Sequence, residues 1–300
     1  MTPKVVGIGE VLWDLLPGGR QMGGAPANFT FHARQLGADA RPVTRVGRDA
    51  LGQDILARLR ELGVPTDCVE LDDARPTGTV TVELGTDGEP HYTIHEGVAW
   101  DHLRGEAPGR RAVAAADAVC FGTLAQRHDD SRHAIRTLLG DVPPTALRVF
   151  DVNLRQSYFS RPVVEDSLRL ANVLKLNETE LPRLAELFGI EGDEPSRIEQ
   201  LAQQFHLQAV AFTRGGRGSL LHRDGKWSDH PGVPVKVQDT IGAGDSFTAA
   251  MTLGLLAGWE LDTINQRANE IAAHVASRAG GTPPLPESLC RPFQVAWAES

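Results

Sequence analysis

Nine consecutive residues, Asp239-Thr240-Ile241-Gly242-Ala243-Gly244-Asp245-Ser246-Phe247, carry the strongest chemical signal in the chain. Small residues at 242–244 let the backbone approach a ligand closely. Their N–H groups would project from the start of the uncharged run Ser246–Trp259, which reads as a buried helix. Free amides at the positive end of a helix dipole make an anion site. Asp245 would stand on the first turn, where that field favours its ionised form. A carboxylate beside an anion hole can take a proton from a hydroxyl while the amides stabilise charge on the group under attack. The same residues also fit a glycine-rich turn with an acidic cap.

Further clusters point toward ligand contact, each with a plainer alternative. Gly23-Gly24-Ala25-Pro26-Ala27-Asn28 opens a helix; its glycines permit close backbone contact, and Asn28 offers donor and acceptor to a polyhydroxylated ligand. Asp14, just past the first strand, could accept from two neighbouring hydroxyls or simply lie at the surface. Thr213-Arg214-Gly215-Gly216-Arg217-Gly218 suits nucleotide phosphates or a hairpin turn. Asn177-Glu178-Thr179-Glu180 places a carboxylate where hydrated Mg²⁺ could be held, and is equally a capped helix start. Asp151-Val152-Asn153-Leu154-Arg155 follows a strand, so Arg155 could clamp an oxyanion. The ten histidines show no zinc spacing; His91 and His95 would share one strand face, at the surface or across a lid.

Other chemistries are excluded by pattern. There is no G-x-x-x-x-G-K-[ST], and Leu12 and Phe247 stand where the third glycine of a dinucleotide fingerprint belongs. The net charge is −9, with no Lys/Arg run beyond pairs such as Arg110-Arg111, so neither nucleic acid nor an anionic membrane is an expected partner. Cys68, Cys120 and Cys290 are isolated, as in a reducing compartment. No secretory signal opens the sequence, and the longest uncharged stretch, 14 residues, is too short to span a bilayer. A cytoplasmic protein is expected.

These residues need a scaffold. Strand-like runs at Lys4–Gly9, Ala40–Val46, Ala118–Phe121, Arg148–Asp151, Val173–Leu176 and Ala209–Thr213 alternate with helical ones. The helices fall at Pro26–Leu36, Asp49-capped to Leu62, Ser131–Leu139, Val163–Leu170 and Glu178–Phe188. Such alternation implies an α/β fold with a mostly parallel sheet covered on both faces. Thr77–Leu84 and His91–Ile94 break the rhythm as a hairpin turning through Thr86-Asp87-Gly88, either a lid or an edge extension of the main sheet.

Taken together, the motifs resemble the ribokinase-like (PfkB) carbohydrate kinases across essentially the whole chain. Gly23-Gly24…Asn28, with Gly37 and Gly47, is similar to the family's N-terminal motif, and Asp239-Thr240-x-Gly242-Ala243-Gly244-Asp245 to its C-terminal one. The resemblance implies a single domain over residues 1–300, with a small β-lid formed near 11–22 and 75–100, and MgATP-dependent phosphorylation of a primary hydroxyl. It makes Asp245 the base, Gly242, Ala243 and Gly244 the anion hole, and Asp14, Gly24 and Asn28 sugar-binding positions. Asn177 and Glu180 would organise Mg²⁺ through water, while Thr213, Gly215 and Gly218 would form the nucleotide loop, with Asn269 an adenine-site candidate. Many members bind K⁺ through positions matching Asp239, Ile241 and the loop near Gly280. Gly9-Glu10…Asp14 and Asp151-x-Asn153-x-Arg155 look like the fructokinase branch, although Val152 replaces its usual proline. The resemblance thus implies D-fructose as substrate, with ribose, 2-keto-3-deoxygluconate or another small sugar as alternatives, and a homodimer as the assembly. The rival classes are a sugar- or nucleotide-binding protein without catalysis and a Rossmann-type oxidoreductase.

Overall fold

Strands β8 and β10 are buried at nearly every position, as parallel strands covered on both faces must be. In the computed structural model, which describes residues 1–16, 18–84 and 90–299, the chain runs β1 (Lys4–Ile8), β2 (Leu12–Leu16), β3 (Gly19–Gly23), α1 (Ala25–Gln35), β4 (Asp39–Gly47), α2 (Ala50–Glu61) and β5 (Val69–Asp72). Then come β6 (Thr79–Leu84), β7 (Pro90–Ile94), α3 (Ala107–Ala114), β8 (Ala118–Phe121), α4 (Asp129–Gly140), β9 (Leu147–Asp151), α5 (Arg161–Leu170) and β10 (Val173–Asn177). It closes with α6 (Glu180–Phe188), α7 (Glu194–Phe205), β11 (Ala209–Thr213), β12 (Ser219–Arg223), β13 (Lys226–His230), α8 (Ala243–Leu256), α9 (Leu261–Ala276) and α10 (Glu287–Glu299).

The main sheet has nine strands in the order β13-β12-β11-β10-β9-β8-β1-β4-β5. It is parallel from β5 to β11, with β12 and β13 antiparallel at one edge. Because strand side chains alternate, it feeds two apolar layers. Val6, Ile8, Phe121, Phe150 and Leu174 meet the layer of α3 to α7. Val5, Cys120, Val149 and Val173 meet α1, α8, α9 and α10. The α/β expectation thus holds, and Asp49 caps α2 as foreseen, its side chain accepting from Gly52 N–H.

A second sheet of four strands, β3-β2-β6-β7, stands apart, which rules out an edge extension of the main sheet. One expected boundary is corrected here, that of α6. Asp14, just past β1 as expected, lies within β2, where residues 12–16 pair with β3 and, across a long chain separation, with β6. The helix expected from Glu178 begins at Glu180, since Asn177 Oδ1 takes the Thr179 and Glu180 amides in a turn before it. His95 lies one residue past β7, its N–H still bonded to the Thr79 carbonyl at 3.1 Å and its Nε2 2.7 Å from Thr81 Oγ1. The expected turn at residues 86–88 falls outside the described residues. Among those described, no helix is long and apolar enough to cross a membrane.

Candidate active site

Parallel strands place the loops after β1, β9, β10 and β11 along one edge, the carboxyl edge where ligands of such sheets gather. Those loops carry Glu10, Asp151 to Arg155, Asn177 to Glu180, and Thr213 to Gly218. Helix α8 brings its N-terminus to the same edge. Gly242 caps it at φ 76°, a left-handed conformation, and a Cβ there would fall on the Gly281 carbonyl. Only glycine fits. Ser246 donates the first bond of α8, to Gly242, so the Gly244 and Asp245 amides ahead of it have no partner within the helix. Ala243 N–H closes a 3.3 Å turn onto Thr240. Asp239 pins the approach, accepting from Ile241 N–H at 3.0 Å and Gly280 N–H at 2.9 Å.

Asp245 is half-buried, and its Oδ2 accepts from Asn28 Nδ2 at 2.8 Å. Burial, and then the charge of Asp151, push its carboxyl up to about 6, against the pull of Asn28, Lys175 and Arg155. On β2, Asp14 is likewise raised to about 6 by burial, with Arg155 opposing and Asp239 adding to the rise. Arg155 itself is exposed, its guanidinium resting on the Leu154 carbonyl. Glu10 is buried and raised by desolvation; its Oε1 accepts from Ala25 N–H at 3.3 Å, next to the α1 cap Gly24.

The sequence reading missed Gln21, which sits opposite Asp14 across β2 and β3 and lies beside Gly280. Its Oε1 and the Oδ1 of Asn28 are buried acceptors without a protein partner. Also missed was His32, one turn after Asn28, whose Nε2 bonds the Gly281 carbonyl at 2.9 Å. Burial lowers its pKa to about 4, so the ring is neutral. A third missed residue, Lys175, had a legible signal: a lysine inside the apolar strand V-L-K-L-N must have a buried partner. That partner is Asp151, 3.0 Å away.

On the opposite side, Glu180 is buried, its two oxygens accepting from Leu154 N–H at 3.0 Å and Asn177 N–H at 2.8 Å. It therefore ties the loop after β9 to the end of β10. Gly215 and Gly218 form the tight connection from β11 to β12, while Thr213 Oγ1 donates to the Leu176 carbonyl at 3.4 Å. Asn269 faces inward, its amide bonded to Ser219 Oγ at 2.7 Å and to Asn265. It thus backs the residue after Gly218 from beneath.

Comparison with known proteins gives a consistent picture. The family model described as pfkB family carbohydrate kinase matches residues 18–288. A fructokinase of Klebsiella pneumoniae is 31% identical, covering 91% of this chain and 91% of its own. A 2-dehydro-3-deoxygalactonokinase of Haloferax volcanii is 28% identical over 88% of this chain and 87% of its own. The crystal structure of an uncharacterized sugar kinase from Pyrococcus horikoshii in complex with ATP superimposes with a TM-score of 0.83 at 27% identity, covering 96% of this chain and 99% of that one.

Proposed function

Because this chain belongs to the pfkB family of carbohydrate kinases, we propose that it transfers the γ-phosphoryl group of ATP to a primary hydroxyl of a small neutral sugar, D-fructose in the first instance. The observation that carries this is Asp245, raised to about 6 yet held by Asn28, at the mouth of the α8 amides. A base of that pKa is ionised at neutral pH and still able to accept a proton.

In this reading the sugar lies between β2 and α1, with Asp14, Gln21 and Asn28 accepting from its hydroxyls. Two buried acceptors without partners call for a donor-rich ligand, which a polyol is. The hydroxyl oxygen forms its bond to the γ-phosphorus as the bond to the β,γ-bridging oxygen breaks. Asp245 takes the proton, and the amides at Gly242, Ala243 and Gly244 hold the charge of the group in transit, that of Ala243 shared with the Thr240 carbonyl. Thr213, Gly215 and Gly218 face the nucleotide, and Asn269 supports them.

Both Glu180 oxygens already accept backbone amides, so Asn177 and Glu180 fit a hydrated magnesium ion rather than a directly ligated one. Such an ion would neutralise phosphate charge. Asp239 gathers the backbone at Ile241 and Gly280 as a potassium site would require. The four-stranded sheet serves as a lid. Gln156 Nε2 donates to Tyr92 O at 2.7 Å and Tyr158 Oη to Ile94 O at 3.2 Å, coupling the lid to the loop that carries Arg155.

A sugar acid is the second reading, favoured by the Arg155 charge, which reaches Glu10, Asp14 and Asp245, and by the Haloferax relative. Against it stand those same three carboxyl groups, which would repel an acidic substrate. ADP release with MgATP over fructose, ribose, 2-keto-3-deoxygluconate, glucose, mannose and adenosine, with and without K⁺, decides. Selective turnover of fructose supports the proposal; turnover of the sugar acid alone replaces the substrate; no turnover with any of them defeats it.

A further inference from the structure

We propose that Lys175 is a positioning residue for the transfer: its ammonium, tethered by Asp151 beneath the first turn of α8, keeps Asp245 anionic. This rests on the reading of Asp245 as the proton acceptor.

Lys175 and Asp151 are register partners on the adjacent parallel strands β10 and β9, on the face that α8 covers. Lys175 Nζ lies 3.0 Å from Asp151 Oδ1. The other Asp151 oxygen is 2.8 Å from the Thr248 hydroxyl, which also reaches the Gly244 carbonyl at 3.0 Å. The pair is therefore fastened to the helix turn that carries both Gly244 and Asp245. The fit is close, because a Cβ on Gly244 would lie 3.1 Å from Nζ.

A buried cation next to the positive end of a helix is unfavourable by itself. It is tolerated where anions converge, and here several do. Asp245 is faced by Asp151 from β9, Lys175 from β10, Glu10 after β1, Arg155 after β9 and Asn28 from α1. Glu180 from α6 adds its charge to Lys175, and the Cys120 thiol on β8, raised by burial, stays neutral. A cavity of about 10 Å³ has Asp151 and Asp245 among its walls. Without Lys175, beside Asp151 and under Gly244, those two carboxylates would have no buried cation near them, and both could not remain ionised. Asp151 repels charge on Asp245 and Lys175 supports it.

The test is the acid limb of kcat against pH, where bound sugar holds Asp14, for the wild type, Lys175→Met, Asp151→Asn and the double variant, at saturating MgATP and sugar. Lys175→Met should move the limb up by about one pH unit or more, a tenfold loss on the acid side. Asp151→Asn should move it down, and the double variant should return it to within about half a unit of wild type. A merely structural pair would lower turnover uniformly with the limb in place, and that outcome overturns the proposal. So does a double variant whose limb stays displaced. Should Lys175→Met fail to fold, Asp151→Asn and the double variant read the same opposed shifts. Should wild type turn over none of the sugars, the proposed function is what fails. The Asp245 titration is then followed by NMR in ¹³C-aspartate-labelled protein, assigned with Asp245→Asn, and an unmoved Asp245 in Lys175→Met overturns the positioning role.

Discussion

Asn28 donates to Asp245 at 2.8 Å, joining α1 to α8 across 217 residues of sequence. The bond holds the Asp245 carboxylate and leaves the other Asn28 amide atom, Oδ1, buried and free to accept. In the proposed function base and sugar contact are therefore one unit, and losing either should show in the chemical step.

Asp245→Asn should lower kcat by about 10³-fold, within the range for a lost general base, while ADP binding followed by calorimetry stays near wild type. A near-normal kcat would remove Asp245 from the reaction.

With Asp245 raised to about 6, turnover should be full above pH 7 and fall about tenfold per unit below pH 6, as the base is protonated. Asp14 is raised to about the same value. The limb of kcat/KM, which reports free enzyme, should therefore be steeper than that of kcat, where bound sugar holds Asp14. Rate profiles from pH 4.5 to 8 check both slopes.

Asp14→Ala should raise the sugar KM by roughly 10- to 100-fold, the worth of a lost hydrogen bond to a charged group, and change kcat less. Initial rates over a sugar series at fixed MgATP measure the split.

Most of the fold and the residues gathered at the candidate site were legible in the sequence, and what was hidden was hidden for physical reasons. Buried parallel strands announce themselves through apolar runs such as Ala118–Phe121, and helix α8 through its uncharged length. The pair β2 and β3 does not, because its strands are short, carry Asp14, Arg20 and Gln21, and are completed by β6 from far along the chain. Lys175 advertised a buried partner, but only the strand register identifies it as Asp151. Nothing local to His32 or Gln21 reveals the loop at Gly280 and Gly281 that they meet, since that contact spans most of the chain.

Gly242→Ala should cost stability and rate together. The left-handed backbone is strained for alanine by about 1–2 kcal/mol, and the methyl displaces the Gly281 carbonyl. A distorted anion hole should reduce kcat by about 100-fold or more. Thermal melts and kcat at saturating substrates measure the two effects.

His32 is neutral in the fold, its pKa lowered to about 4 from 6.5. The unfolded chain binds the proton first, so His32 favours folding above pH 6.5 and that contribution is lost as pH falls toward 4. His32→Gln removes this dependence. The stability gap between wild type and variant should therefore shift by about 2 kcal/mol against wild type between pH 7.5 and 5, as read from urea melts.

The contact between Gly242 and the Gly281 carbonyl has a consequence for biosynthesis. A ribosome delivers α1 and the four-stranded sheet long before residues 242–281 emerge. A half-made chain thus carries Asp14 and Asn28 but neither Asp245 nor the first turn of α8. Under the proposed function, catalysis arrives in one event, with the last segments, and translation that stalls early leaves a fragment unable to squander ATP.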